Sequence, residues 1–314
     1  MIKIGDAVPR FEDERLLTGR GSYTDDAVLS TDACMVLVRS PVAAANLTSI
    51  DTADAKAAPG VLGIFTAADL DADGIGHFKT GFPFKRPDGR EMYRPPFGLL
   101  AKDVVRYVGD PVVAVVAETH SQAEDAAELV MIDYDDEAAV TDAEAALRDG
   151  APTVWAGAPG NIAFVVERGD KAAAEAAFSQ ADHVTALDLR VTRVTANPIE
   201  PRSAIGGFDP DSNRYALRCG TQTPQRMRDT LAADILKISP DQIHVISEDI
   251  GGAFGMKNSP YPEYGLVLWA AKKVGRRVAW RSSRIEAMQS DFQGRDNHIH
   301  AELAIDADGL FQAI

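Results

Sequence analysis

The sequence predicts an α+β protein built in two parts. Three observations carry this. A strand–helix–strand unit fills residues 112–134, a hairpin with a polar turn lies at 208–219, and an Ala-, Asp- and Gly-rich stretch without clear periodicity separates them. The length of 314 residues suits two domains of roughly 150 residues each. We place them at 1–145 and 146–314, with the crossing between Asp135 and Gly160.

Residues 1–30 carry turn signals and alternating charges, which predict an extended arm rather than a helix. "EDER" at 12–15 reads as a solvated part of that arm, touching a partner or the body. Strands are expected at Cys34–Arg39 and Val61–Thr66, with a short helix in "TADAKAAPG" and another starting at "TAADL". Residues 71–98, rich in Gly, Pro and aromatics, predict a long loop. Its aromatic rings either cover the core or wall a funnel or partner surface. Val112–Ala117 is a buried strand, and Ser121 with Glu124 three residues on suggests a capping box. Ala123, Ala126, Ala127 and Val130 form the helical stripe before a strand at Met131–Tyr134.

In the second part "KAAAEAAFSQ" is helical and "HVTALDLRVTRV" alternates like a strand. "DPDSN" turns the hairpin. Thr223 and Pro224 open a helix whose Met227, Leu231 and Ile235 share one face. "IHVISEDI" is a strand leading into "GGAFGMK". Pro262 opens a last helix, with Val267, Ala270 and Val274 on one face and Gly275 at its end.

Composition excludes several function classes. Hydrophobic residues make up 46% and charged residues 25%, an ordinary globular balance. The net charge of −15 repels phosphate backbones, so no nucleic-acid partner is expected. No apolar run approaches the roughly 18 residues of a membrane span, and the N-terminus shows no secretory leader. Cys34 and Cys219 alone cannot make a disulfide framework, so a reduced, cytoplasmic setting is expected. The six histidines are scattered. Only His298 and His300 share a strand face, where solvated histidines are expected rather than a metal site.

The glycines at 251, 252 and 255 raise a sharper question. The spacing does not match a P-loop, because Met256 and Asn258 stand where Gly-Lys-Ser/Thr would need other residues. It does not match a dinucleotide fingerprint either, because position 253 is Ala. Spacing leaves two readings open: a bare strand-to-helix turn, or a cradle of backbone N–H groups for an anion or oxo ligand. In a cradle, Phe254 would present its amide while its ring wedges into the core. Glu200 in "NPIEPR" reads as a carboxylate tying down a turn or pairing with Arg202.

Taken together, "PRFEDERLLTGRGSYTDD", "APGVLGIFTAADL", "RYVGDPVVAVVAET", "NPIEPRSAIGGFDPD", "TQTPQRMRDTLAADIL" and "GGAFGMK" resemble, in order, a known family. It is the molybdopterin-binding large subunit of xanthine dehydrogenase, aldehyde oxidase and aerobic carbon monoxide dehydrogenase. The resemblance implies an α/β hammerhead domain followed by the beginning of a molybdopterin-binding domain. It implies that Gln222 hydrogen-bonds near the metal's ligands and that Gly252, Ala253, Phe254 and Gly255 contact the pterin. The metal would be held by the pterin's own dithiolene, with no protein ligand. The implied activity is a molybdenum-dependent oxidoreductase hydroxylating an aldehyde or N-heterocycle with water as oxygen source, or oxidising carbon monoxide. The cofactor would be a Mo-pyranopterin, including the cytosine dinucleotide form as one option. A [2Fe-2S] cluster and FAD would sit on a small and a medium partner subunit, since no cluster-type Cys spacing occurs here.

Departures from the family pattern matter. The resemblance ends inside the molybdopterin domain, so the family's general-base Glu has no counterpart and no catalytic residue is assigned. The expectation is an incomplete unit that is inactive alone, completed by a separate polypeptide, or else a truncated remnant serving only subunit interaction. Its exposed apolar surface should drive self-association. Asn258 stands where purine-hydroxylating members carry Glu, which argues against xanthine as substrate. Ala253 and Met256 replace glycines of the family's usual centre.

Overall fold

The computed structural model describes residues 3–80, 82, 84–86 and 88–314. Met1 and Ile2 of the expected arm, and Gly81, Pro83 and Pro87 of the expected 71–98 loop, lie outside the described residues.

The arm is not wholly extended. It holds a short helix, α1 (Asp13–Leu17), and a 3-10 turn at Thr24–Ala27. No residue of α1 is buried, so local bonds such as Thr18 Oγ1 to Glu14 O (2.6 Å) hold it. Then come β1 (Ala33–Arg39), β2 (Ala45–Asp51), α2 (Ala53–Ala57), β3 (Val61–Phe65) and α3 (Ala67–Ala72). The strand β2 escaped the sequence reading because "ANLTSID" is mostly polar; a partner strand, not its own pattern, makes it a strand. After the long loop follow β4 (Val104–Val105), β5 (Pro111–Ala117), α4 (His120–Glu128) and β6 (Met131–Asp136).

The cap of α4 is Thr119, not Ser121. Its side-chain oxygen accepts from Gln122 N at 3.3 Å, and Ser121 already lies within the first turn. The strands around α4 do not share a sheet. All seven residues of β5 are buried in the large sheet, whereas β6 pairs with β2 in a separate sheet of order β4-β2-β6. Ala123 and Ala126 of α4, with Val130, pack beneath them.

The second part contains α5 (Lys171–Gln180), β7 (His183–Val191), β8 (Val194–Thr195), β9 (Ser203–Asp209), β10 (Arg214–Cys219) and α6 (Pro224–Thr230). It continues with β11 (Ile243–Ile246), α7 (Pro262–Val274), β12 (Val278–Arg281), α8 (Arg284–Ser290), β13 (Gln293–Gly294), β14 (Asn297–Ile305) and β15 (Phe311–Ala313). The α6 helix runs on through a π-helical turn at Leu231–Leu236. Met227, Leu231 and Ile235 are all fully buried, as their spacing predicted.

One seven-stranded sheet of order β11-β10-β9-β12-β1-β5-β3 forms the centre. Its strands come from both ends of the chain: β1 lies parallel to β12, with Met35 opposite Trp280. The expected one-sided burial of α7 is replaced by burial all round, from Pro262 to Ala271. On one side it meets β9 so closely that a Cβ on Gly206 would lie 2.3 Å from Val267 O. On another, Trp269 packs edge-on against Phe65 and donates to Asp73 Oδ2 at 2.8 Å.

Candidate functional site

The strand β11 delivers the chain to residues 249–257, and three neighbouring segments grip that loop. The first is the arm. Asp249 accepts from Ser22 N (2.7 Å) and from the guanidinium of Arg15 (Nη2, 2.7 Å). The Arg15 hydrogen bond, with help from Ser22, pulls the Asp249 carboxyl down to about 2. Arg15 of "EDER" thus contacts the body.

The second is the "NPIEPR" segment. Glu200 N donates to Gly251 O (3.1 Å), and Gly251 N donates back to Glu200 Oε2 (2.7 Å). A Cβ on Gly251 would come within 2.5 Å of Glu200 Cβ, so only glycine fits there. Glu200 ties down a turn as expected, but its ionic partner is Lys257, not Arg202. Lys257 Nζ donates to Glu200 Oε2 and to Glu200 O, both at 2.9 Å. Arg202 lies elsewhere, fully buried between Glu263 (2.7 Å) and Asp291 (2.5 Å), with its guanidinium stacked 3.7 Å from the Tyr261 ring. Arg39 reaches the same Glu263 at 2.6 Å. Against full burial, these two guanidinium groups hold the Glu263 carboxyl down to about 2.

The third is the "TQT" segment. Gln222 N donates to Lys257 O (3.1 Å), and Gly255 N donates to Gln222 Oε1 (3.0 Å). An amide N–H can face only an acceptor, so this contact assigns the Gln222 carboxamide: oxygen toward the loop, NH₂ outward. Thr223 stands at the N-cap of α6 as expected, with Pro224 next, but its hydroxyl makes no capping bond and lies against Asn258 O and Oδ1 at 3.0 and 3.1 Å.

These contacts shape the loop. Gly252 (φ 102°), Phe254 (φ 51°) and Gly255 (φ 87°) all take left-handed backbone, which is strained for a bulky Phe. Among the described residues, no group accepts from the N–H of Gly252, Ala253 or Phe254. The Phe254 ring does not wedge into the core; it is 77% exposed. Space opens beside Gly255, where an added Cβ would meet no atom within 4 Å. The five sequence-predicted residues Gln222, Gly252, Ala253, Phe254 and Gly255 are therefore brought together. Gly255 contributes space rather than a free donor.

Residues 154–314 match the family model "molybdopterin cofactor-binding domain", and residues 18–138 match "aldehyde oxidase and xanthine dehydrogenase, a/b hammerhead domain". The chain belongs to the aldehyde oxidase and xanthine dehydrogenase family.

Relatives of this family member include the nicotine 6-hydroxylase large subunit of Paenarthrobacter nicotinovorans, 36% identical across 99% of this chain and 37% of the relative. The carbon monoxide dehydrogenase large chain of Afipia carboxidovorans is 32% identical across 97% of this chain and 38% of its own length. Among solved structures, quinoline 2-oxidoreductase from Pseudomonas putida 86 superposes with a TM-score of 0.88 at 34% identity, over 98% of this chain and 38% of that one. The chain thus spans well under half the length of the relatives it matches.

The loop suits the molybdenum cofactor of the family. The N–H groups of Gly252, Ala253 and Phe254, without acceptors among the described residues, and the outward Gln222 NH₂ are donors, and oxo and phosphate-type oxygens are acceptors. Among the described residues no group of three or more His, Cys, Asp or Glu could hold a metal ion.

Other candidates fall outside the site. His300 Nδ1 sits 2.8 Å from Asp188, and His298 lies 3.5 Å from Glu144, both exposed on β14. Of the roles expected for the loop aromatics, covering the core is the one the structure shows. Phe78 and Phe97 pack against the core and also line a cavity of about 1010 Å³ shared with Trp155 and Phe292. Among the described residues no helix is long and apolar enough to cross a membrane. Sequence reasoning missed the Lys257–Glu200 pair and the Arg202–Glu263 pair. Charges inside apolar or glycine-rich runs, such as Glu263 in "PEYGLVLWAA", were the available signal.

Proposed function

We propose that this chain supplies one wall of the cofactor site of a molybdenum hydroxylase large subunit. The row of acceptor-free amides at 252–254 beside the Gln222 carboxamide carries the reading. When bound, the molybdenum cofactor supplies two-electron oxidation of a substrate carbon with water as the oxygen source. The part played by this chain is to bind and orient. Gln222 NH₂ would serve as a hydrogen-bond donor to the cofactor without itself becoming a metal ligand. The 252–254 amides would hold the cofactor by hydrogen bonds, and the clasping segments keep the strained Phe254 backbone in place. Exposed Phe254 offers an apolar ring at the open face. Nitrogen heteroaromatics are the substrate class we favour, since the similar proteins include one named for nicotine and one named for quinoline and Asn258 stands where purine-hydroxylating members carry Glu. Partner subunits carrying [2Fe-2S] and FAD, a reduced cytoplasmic setting and the dinucleotide form of the pterin belong to the same reading. The domains at 1–145 and 146–314 are its two functional parts, the second built around the cofactor wall.

The test is the molybdenum and pterin content of the purified chain, alone and co-expressed with a polypeptide supplying the remaining length of its relatives. Cofactor in the co-expressed sample, reduced by Gln222→Ala, is expected. No molybdenum in either sample would sink the reading.

A further inference from the structure

We propose that Glu200 and Lys257 are positioning residues that set the shape of the 251–257 loop from behind. The pair is built into the fold at a place where charge is costly. The Lys257 side chain is 1% exposed and the Glu200 side chain 17%. A buried ammonium is tolerated only when paired and hydrogen-bonded, and here both conditions hold through one residue: Glu200 gives it a carboxylate oxygen and a backbone carbonyl.

The same carboxylate oxygen, Oε2, also receives Gly251 N–H at 2.7 Å. One atom therefore joins the first glycine of the loop to the lysine that ends it. Lys257 extends the link, because its carbonyl accepts from Gln222 N (3.1 Å) and from Thr221 Oγ1 (3.2 Å). Gln222 in turn holds Gly255 N–H. The circuit Gly251–Glu200–Lys257–Gln222–Gly255 closes around the 252–254 amides, and none of its members uses those amides. Holding Phe254 in left-handed backbone requires surroundings that over-determine it, and this circuit is the group of contacts that does so. Asp249 and Arg15 stand outside it, on the exposed side.

The step to the cofactor rests on the reading under Proposed function; the step to loop shape does not. Both are read in the full chain, completed by co-expression for cofactor loading. Amide hydrogen exchange at Gly251 and Gly255 is measured in Glu200→Ala, Glu200→Gln and Lys257→Met, beside the thermal midpoint. A role confined to filling one hydrogen bond would alter Gly251 alone. The circuit predicts that Gly255, which touches neither Glu200 nor Lys257, also exchanges about ten-fold faster or more in Glu200→Ala and Lys257→Met. Glu200→Gln keeps an acceptor for Gly251 and is expected to fall between wild type and Glu200→Ala, and it serves if the alanine variant does not fold. In the loaded protein, molybdenum and pterin content should drop by roughly ten-fold in Glu200→Ala and recover in part in Glu200→Gln. Gly255 exchange unchanged from wild type in all three variants would overturn the proposal. Absence of molybdenum from wild type would overturn the cofactor reading instead, and the exchange measurements would still decide the clamp.

Discussion

Two helices of this chain are held in opposite ways. α5 is ten residues with none buried, and α7 is thirteen residues with ten consecutive ones buried. α5 reads "KAAAEAAFSQ", a run of strong helix formers, and Asp170 caps it by accepting from Ala173 N at 3.0 Å. Propensity and a cap suffice. α7 carries Gly265 and aromatic residues, a poorer intrinsic helix, and exists because packing on all sides holds it. The neighbouring sheets repeat the contrast. β9 is buried over Ser203–Gly206 and β12 over Val278–Trp280, both against α7, while β7, which follows α5 in the chain, is exposed along nearly its whole length, including Leu187 (56%) and Leu189 (42%). Local preference can build structure without a core, but only the packed region can hold buried charge and strained backbone in place.

The comparison can be broken hardest at the buried ions. Arg202→Met would leave Glu263 and Asp291 facing each other with one guanidinium fewer in a dry site. A loss of about 3–5 kcal/mol is expected in denaturant unfolding followed by Trp fluorescence. Next is Gly206→Ala, where the new methyl meets the α7 backbone and not a movable side chain. About 1–3 kcal/mol is expected by the same measurement, and no loss would show that α7 can shift away.

The packed region should also titrate. Burial pushes the Asp110 carboxyl up to about 6. Ionising it therefore costs the folded state, and the cost is present above about 6 and fades as the pH falls toward the ordinary carboxylate value. Relative to Asp110→Asn, the wild-type chain should gain stability on acidification from pH 7 to 4; parallel melting curves across that range would contradict this.

The smallest effect belongs to the exposed sheet. Leu187→Lys should change stability by no more than about 0.5 kcal/mol while reducing self-association in sedimentation. A large loss of stability would mean that β7 is held by packing after all.

Much of the site was legible in the sequence because its parts lie in short runs. "GGAFGMK" after a strand, "TQT" before a helix and "NPIEPR" each announce a constrained backbone. Their pairing was not legible. Glu200 has Arg202 two residues away and Lys257 fifty-seven away, yet the distant one is its partner. The cradle reading put the Phe254 ring inside, and it lies outside, a placement that the glycine pattern around it does not reveal. Thr119 displaced Ser121 as a cap because the chain enters α4 straight from β5, which ends two residues earlier.

By itself the sequence determined the local elements whose periodicity, caps and turns are written in neighbouring residues, the ordered motifs of the family, and the gathering of glycines that permits left-handed backbone. Only the tertiary structure decided that strands from both ends of the chain share one sheet, that α7 is buried on every side, and that one carboxylate oxygen joins Gly251 to Lys257. The physical reason is range. Backbone preference acts over a few residues, while the desolvation of a charge is settled by whichever partner the fold brings within hydrogen-bond distance.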